Sequence, residues 1–296
     1  MKNTIFTGAG VAIVTPMNPD GSINFDALGT NIEYQIANGT DAIIICGTTG
    51  ESATMTDEEH VECIRYCVQK VNKRVPVIAG TGSNDTKYAV ELSKEAEKLG
   101  ADALLVVTPY YNKASQRGLI AHFTAIADSV NIPIILYNVP SRTGVNIAVD
   151  TYVTLSKHKN IAAIKEASGN ISAVAKIIAA CGDNVDVYSG NDDQIVPIMS
   201  LGGKGVISVL SNILPRETHE IAQHCLNNDF VKAAELQIKY LDLANSLFID
   251  VNPIPVKEAM NILGMNAGEC RLPMLRMEQS KIDVLTASLK NAGLIK

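Results

Sequence analysis

Short apolar runs rich in β-branched residues alternate along most of the chain with stretches whose apolar positions recur at helical spacing. The apolar runs fall at 11–14, 42–46, 75–79, 103–107, 133–136, 161–164, 185–188 and 205–209. Amphipathic stretches lie between or after them at 26–38, 57–72, 86–99, 118–129, 171–181 and 215–227. A run of four or five apolar residues with no polar alternation fits a strand buried on both faces, as in a parallel sheet covered by helices. Eight such runs, each followed by a helical or turn-rich return, predict an α/β fold of the (β/α)8 TIM-barrel type rather than an open doubly wound sheet. An open dinucleotide-binding sheet would carry a glycine fingerprint after its first strand. Gly8-Ala9-Gly10 continues wrongly for that fingerprint and is read as preceding the strand. After Asn227 the β-runs stop, and helices are predicted at 230–248, 256–263 and 278–292. The chain therefore divides on paper into a catalytic barrel, 1–227, and a C-terminal helical domain, 228–296. Thr56 or Asp57 ahead of Glu58-Glu59, and Asn84-Asp85-Thr86, have the chemistry of helix N-caps, and Leu99-Gly100 that of a helix end.

Composition narrows the function. The 296 residues are 47% hydrophobic, enough for one large core, and the formal net charge is −6. No basic cluster occurs, which argues against nucleic acid or an anionic membrane as partner. No apolar run approaches the roughly 18–20 residues of a membrane span. The opening MKNTIFTGAG lacks the long apolar core and cleavage site of a signal peptide. Six cysteines lie scattered without CxxC spacing, which suits reduced thiols in a cytoplasmic protein. The five histidines show no zinc-ligand spacing, so no metal is expected.

Barrel enzymes gather their chemistry at the C-terminal ends of the strands, which makes residues there the candidates for function. The sixth run ends at Lys165. An ordinary lysine has a pKa of about 10.4 and is protonated at neutral pH, but burial against apolar walls can lower that by roughly 3–5 units. Alternation turns Glu166 to the opposite face, so it need not hold Lys165 as an ammonium. Such a residue is a candidate Schiff-base nucleophile, and equally a lysine reaching solvent from a strand end. The second run ends Gly47-Thr48-Thr49-Gly50-Glu51, a turn with hydroxyls and backbone N–H groups that suit a small carboxylate or phosphate. The fourth ends in Tyr110-Tyr111. The fifth ends in Tyr137, with Arg142 following in a Pro/Gly-rich loop. Arginine's planar fork matches a carboxylate. Gly202-Gly203-Lys204-Gly205 lacks P-loop spacing and is read as a turn.

In that order and combination, GTTGE, the strand-end tyrosine with its arginine loop, and the strand-end lysine resemble the dihydrodipicolinate synthase/N-acetylneuraminate lyase family of class I aldolases. The resemblance runs from about Gly8 to the C-terminus. YNVPSRTG at 137–144 is similar to the synthase branch, since the sialate and ketodeoxy-sugar lyases as a rule lack an arginine at Arg142. The resemblance implies condensation of pyruvate with L-aspartate 4-semialdehyde through a Lys165 Schiff base, a committed step towards diaminopimelate and lysine. It implies Tyr137 as acid/base beside the imine, with Thr48 linking it to Tyr111. Thr49 would hold the pyruvate carboxylate, Arg142 the semialdehyde carboxylate, and Gly190 and Ile207 would line the pocket. No metal or organic cofactor is called for. A homodimer is implied, with Tyr111 reaching into the neighbour's site, and a pair of dimers as a homotetramer.

The same resemblance implies an effector cleft for lysine next to Tyr110. The matching positions are Ser52, Ala53, Asp57, His60, Asn84, Tyr88 and Tyr110. Tyr88 stands where lysine-inhibited members carry a glutamate, and Asp57 replaces a histidine, so weak or absent inhibition is expected. Two other classes keep a place on the residues alone. An oxo-acid sensor barrel would keep the pocket without needing a neutral lysine. A phosphosugar isomerase would need an anion site after the seventh and eighth strands, where only Ser189-Gly190-Asn191 is on offer.

Overall fold

The structure, a computed structural model, describes residues 4–296; the first three residues of the opening stretch lie outside the described residues. Eight strands form a closed barrel in chain order. They are β1 Gly8–Ala12, β2 Ala42–Ile45, β3 Val77–Gly80, β4 Ala103–Val107, β5 Ile134–Asn138, β6 Ile161–Glu166, β7 Asp186–Ser189 and β8 Gly205–Ser208. Every neighbouring pair is parallel, and β8 closes on β1 through Gly8↔Gly205 to Val11↔Ser208. The expected (β/α)8 architecture is the observed one. Within β2 the pleat divides the run AIII cleanly. Ala42 and Ile44 join the cluster inside the barrel, and Ile43 and Ile45 join the one between barrel and helices.

The glycines read as preceding the first strand instead lie within it. Gly8 and Gly10 are β1 residues, and a Cβ on Gly205 of β8 would stand 1.9 Å from the Gly8 carbonyl oxygen. Only glycine lets these two backbones close the barrel there.

The helices wrap the outside, with ends close to those the patterning gives. Thr56 caps the helix Asp57–Val71 with a full capping box, its hydroxyl accepting from Glu59 N while Glu59 accepts from Thr56 N. Asp85 caps Thr86–Lys98, and Gly100 past its end has φ +92°. Of the Gly202-Gly203-Lys204-Gly205 stretch read as a turn, Gly202 lies in a turn, while Gly205 opens β8.

After Pro215–Leu226 come four more helices, Phe230–Lys239, Leu241–Ser246, Ile254–Ile262 and Gln279–Asn291. The single helix expected over 230–248 is thus two, because Tyr240 leaves helical geometry (φ −101°, ψ 5°) and turns into the core. These helices share one apolar cluster with Val14, Val209 and Leu214, so the appendage packs directly on the barrel's rim. Among the described residues no helix is long and apolar enough to cross a membrane.

Candidate active site

The site begins with a local irregularity in β6. The β5–β6 register runs Ile134↔Ile161 and then Ile135↔Ala163, so one extra residue, Ala162, bulges from β6. Ile161 faces outward; strict alternation from it would turn Lys165 outward as well. The bulge resets the phase, so Ala163 and Lys165 face the interior while Ile164 and Glu166 face the helices. Tyr137 of β5 pairs with Lys165, and Asn138 with Glu166. The inner rung of this ladder brings Lys165 Nζ 4.3 Å from the Tyr137 ring centroid. On the outer rung Asn138 Nδ2 donates to both Glu166 carboxylate oxygens, at 3.2 and 3.1 Å. Tyr152 OH (3.1 Å) and Ser168 N (2.8 Å) also donate to Glu166, so its charge is satisfied away from the lysine.

Lys165 is 5% exposed. Burial brings its pKa down to about 7; the Asp192 carboxylate pulls the other way and the Arg142 guanidinium adds to the lowering. The amine is therefore about half neutral near pH 7. Burial also raises the Tyr137 phenol, against the opposing pull of Arg142 and of a hydrogen bond with Thr48, so it carries its proton at neutral pH.

Thr48 and Thr49 sit in a single 3-10 turn, Thr48–Gly50, and not in an open loop. Gly50 N and Glu51 N close that turn on Gly47 O and Thr48 O, so the turn's own bonds do not use the first N–H groups, those of Thr48 and Thr49. The turn is anchored from the far end of the chain. Glu51, at φ 59°, pairs with Lys257 at 2.7 Å, both side chains being almost wholly buried. Lys257 also donates to Thr15 O and Glu269 O, and Arg271 N donates to the second Glu51 oxygen. Asn252 Nδ2 donates to Thr49 Oγ1 at 3.0 Å, and the Asn252 carbonyl accepts from Arg142 Nη2 at 3.2 Å. One residue of the appendage thus touches both candidate carboxylate binders. Sequence patterning passed over Asn252, Lys257 and Asp192, and took Glu51 only as the end of a turn. Its one available signal was a lysine inside the apolar helix Ile254–Ile262.

Lys165, Tyr137, Thr48, Thr49, Arg142 and Gly190 all line a cavity of about 450 Å³ at the C-terminal mouth of the barrel. A Cβ on Gly190 would stand 2.6 Å from Ala167 Cβ and 3.2 Å from Lys165 Cε, so only glycine leaves the lysine room there. Ile207 is fully buried in the apolar cluster inside the barrel, with Tyr137 and Tyr188, and is not among the cavity's lining residues. Tyr111 is 89% exposed and lies outside its own chain's cavity. A second cavity of about 330 Å³ adjoins the first and is lined by Ser52, Ala53, His60, Tyr88 and Tyr110. Asp57 Oδ1 accepts from Tyr88 OH at 2.7 Å, and burial keeps His60 below the usual histidine range. The Asn84 carbonyl accepts from Asn112 Nδ2. Among the described residues no group of three or more His, Cys, Asp or Glu side chains could hold a metal ion.

A buried, half-neutral lysine beside a protonated phenol at a barrel mouth is equipped to form an imine with a small oxo-acid. Known proteins bear on which one. The chain is 57% identical over 292 residues to the 4-hydroxy-tetrahydrodipicolinate synthase of Clostridium perfringens (strain SM101 / Type A), covering 99% of this chain and 100% of that one. It superimposes on the dihydrodipicolinate synthase of Aquifex aeolicus with a TM-score of 0.96 at 47% identity, covering 98% and 99% of the two chains. With the chloride-inhibited dihydrodipicolinate synthase of Acinetobacter baumannii, complexed with pyruvate, the TM-score is 0.97 at 44% identity over 99% and 100%. The sequence profile of the Dihydrodipicolinate synthetase family matches residues 5–292, which hold all eight strands, the lysine and the appendage that braces its pocket, and the chain belongs to that family.

Proposed function

We propose that the chain condenses pyruvate with L-aspartate 4-semialdehyde to give 4-hydroxy-tetrahydrodipicolinate, the first committed step of diaminopimelate and lysine biosynthesis. The observation that carries this reading is Lys165, an amine held near neutrality by burial with the Tyr137 ring 4.3 Å away. Its neutral Nζ adds to the pyruvate ketone. Tyr137 gives a proton to the resulting hydroxyl, which leaves as water. The protonated imine withdraws electrons from the adjacent methyl, which loses a proton and becomes the enamine carbon that attacks the aldehyde. The adduct's own amine then adds at the imine carbon and expels Lys165. Each proton needs a group that both gives and takes, and the Tyr137–Thr48 hydroxyl pair has that capacity.

Thr49, with the free N–H groups of its turn, binds the pyruvate carboxylate, and Arg142 that of the semialdehyde. Gly190 keeps space beside the lysine, and Ile207 shapes the floor through packing. Tyr111 completes the relay of a neighbouring subunit in a homodimer, with two dimers making a homotetramer. Its 89% exposure, beside the 38% of Tyr110, supports that role. A cytoplasmic location accompanies this reading, and cysteines kept as thiols, Cys46, Cys63 and Cys67 among them, favour it. The adjoining cleft offers lysine no free carboxylate at Tyr88, so inhibition by lysine is weak or absent. Borohydride reduction with pyruvate present tests the assignment. A stable adduct on Lys165 is expected, and protein left unmodified would sink the Schiff base.

A further inference from the structure

The cavity's charge pattern goes one step further than its catalytic groups. Two cationic side chains line it, Lys165 and Arg142, but of all the lining residues only Asp250 carries a carboxylate. Asp250 belongs to the stretch between the helices Leu241–Ser246 and Ile254–Ile262, two residues before Asn252, whose carbonyl holds Arg142 at 3.2 Å. Its side chain is 23% exposed, reachable from the cavity yet not free in solvent. One oxygen accepts from Lys281 Nζ and the other from Val251 N, both at 2.7 Å. Each carboxylate oxygen has room for a second donor, so these contacts orient the group without filling it. Chiefly through the Lys281 hydrogen bond its carboxyl is held below the usual range, so it is ionised at neutral pH.

We infer that Asp250 is a specificity residue that receives the α-ammonium of the semialdehyde while Arg142 holds its α-carboxylate. The two groups hang from one carbon, so their receptors must be neighbours, and the Asn252 carbonyl ties Arg142 to the chain segment that carries Asp250. An anion beside a cation selects an amino acid over its deamino analogue, because the analogue would leave Asp250 facing a methylene. Holding the ammonium there keeps the nitrogen on the side from which, once deprotonated, it must close the ring. The inference rests on the function proposed above and adds a chemical group to it.

The test compares two ligands in one enzyme. Asp250→Asn should raise KM for L-aspartate 4-semialdehyde about tenfold or more, the usual worth of a charge-assisted hydrogen bond. KM for pyruvate should stay within about twofold. The inhibition constant of succinic semialdehyde, which lacks only the amine, should stay level or fall. Asp250→Glu should recover most of the lost affinity. Equal weakening of both semialdehydes, or of neither, would overturn the inference. Lys281→Met removes the ion pair but leaves the carboxylate in the cavity; if it reproduces the Asp250→Asn defect, the effect belongs to the loop's stability and the inference fails. Borohydride trapping of pyruvate on Lys165 in the same variants keeps the two claims apart, since it persists when only the ammonium site is wrong.

Discussion

Lys165→Met gives the sharpest test, because the chemistry and the stability of the protein depend on the same charge. In the folded chain the amine titrates at about 7 instead of 10.5, so between those pH values the folded state binds fewer protons than the unfolded one. Stability therefore rises with pH across that window. The burial penalty is fully present below about pH 7 and has gone by about 10.5. At about 1.4 kcal/mol per pH unit it amounts to about 5 kcal/mol at its largest. The pull of Asp192 and the push of Arg142 are already contained in the lysine's titration.

Methionine has similar length, no charge and a side chain suited to apolar walls. The variant should lose turnover and the pyruvate adduct, yet be several kcal/mol more stable than wild type at pH 6.5. That advantage should shrink to about 1–2 kcal/mol by pH 9.5. Urea unfolding of both proteins at the two pH values, at one protein concentration, measures the change. A stability difference that is the same at both pH values would refute the buried, half-neutral lysine. In wild type, kcat/KM for pyruvate should fall as pH drops below about 7, as the nucleophile takes up its proton.

Other expected outcomes are as follows. Tyr137→Phe keeps the ring against the lysine but removes the proton, and should slow kcat by roughly 10²–10⁴-fold; a near-wild-type rate would move the relay elsewhere. Arg142→Ala should raise KM for the semialdehyde far more than for pyruvate, with a loss of about 1.5–3 kcal/mol; equal effects on both substrates would contradict the assignment. Lys257→Met strands the Glu51 charge in the core and should destabilise by about 3–5 kcal/mol. Pairing it with Glu51→Gln should recover part of that loss, and a single variant as stable as wild type would show that the pair is not what braces the turn. Initial rates at limiting pyruvate should respond weakly or not at all to lysine, since the Tyr88 phenol, pushed up to about 12, offers no charge to its ammonium; strong inhibition below about 1 mM would refute this, an affinity worth more than about 4 kcal/mol.

The barrel was legible because each strand is buried on both faces, and a run such as Ala103–Val107 has no polar residue to confuse its period. Lys165 was legible for the converse reason, as a charge ending an apolar run. Its direction was not. IAAIKE reads the same whether or not Ala162 bulges, and only the register against β5 puts the amine inside. The supports of the site were illegible for a different reason. Glu51 and Lys257 lie 206 positions apart, and Arg142 and the Asn252 carbonyl 110 apart, distances over which periodicity carries no information. The 249–255 stretch lay between the helices expected at 230–248 and 256–263, so nothing drew attention to Asp250. Tyr240 was missed as a helix break because an aromatic at that position fits a helix's apolar face until packing pulls it inward.

These supports explain how one cavity can keep a lysine neutral and then tolerate a cation in its place. In the free site burial outweighs the attraction of Asp192, so Lys165 loses its proton far more readily than an ordinary lysine. The imine that follows is cationic by necessity, in the same buried position. In the proposed reaction pyruvate brings the compensating charge itself, a carboxylate one bond from the imine carbon, with the Thr48–Gly50 turn as its proposed receptor. The second substrate of that reaction repeats the pattern with a carboxylate and an ammonium, for which Arg142 and Asp250 are the proposed receptors. In that scheme the iminium charge answers the pyruvate carboxylate and the zwitterionic semialdehyde adds no net charge, so the field in the pocket need not be rebuilt during the reaction. The turn and the arginine must then stay fixed while charge moves between them. Lys257, through Glu51, and Asn252 hold both from the appendage, so on the proposed reading the C-terminal segment serves the site as well as the fold.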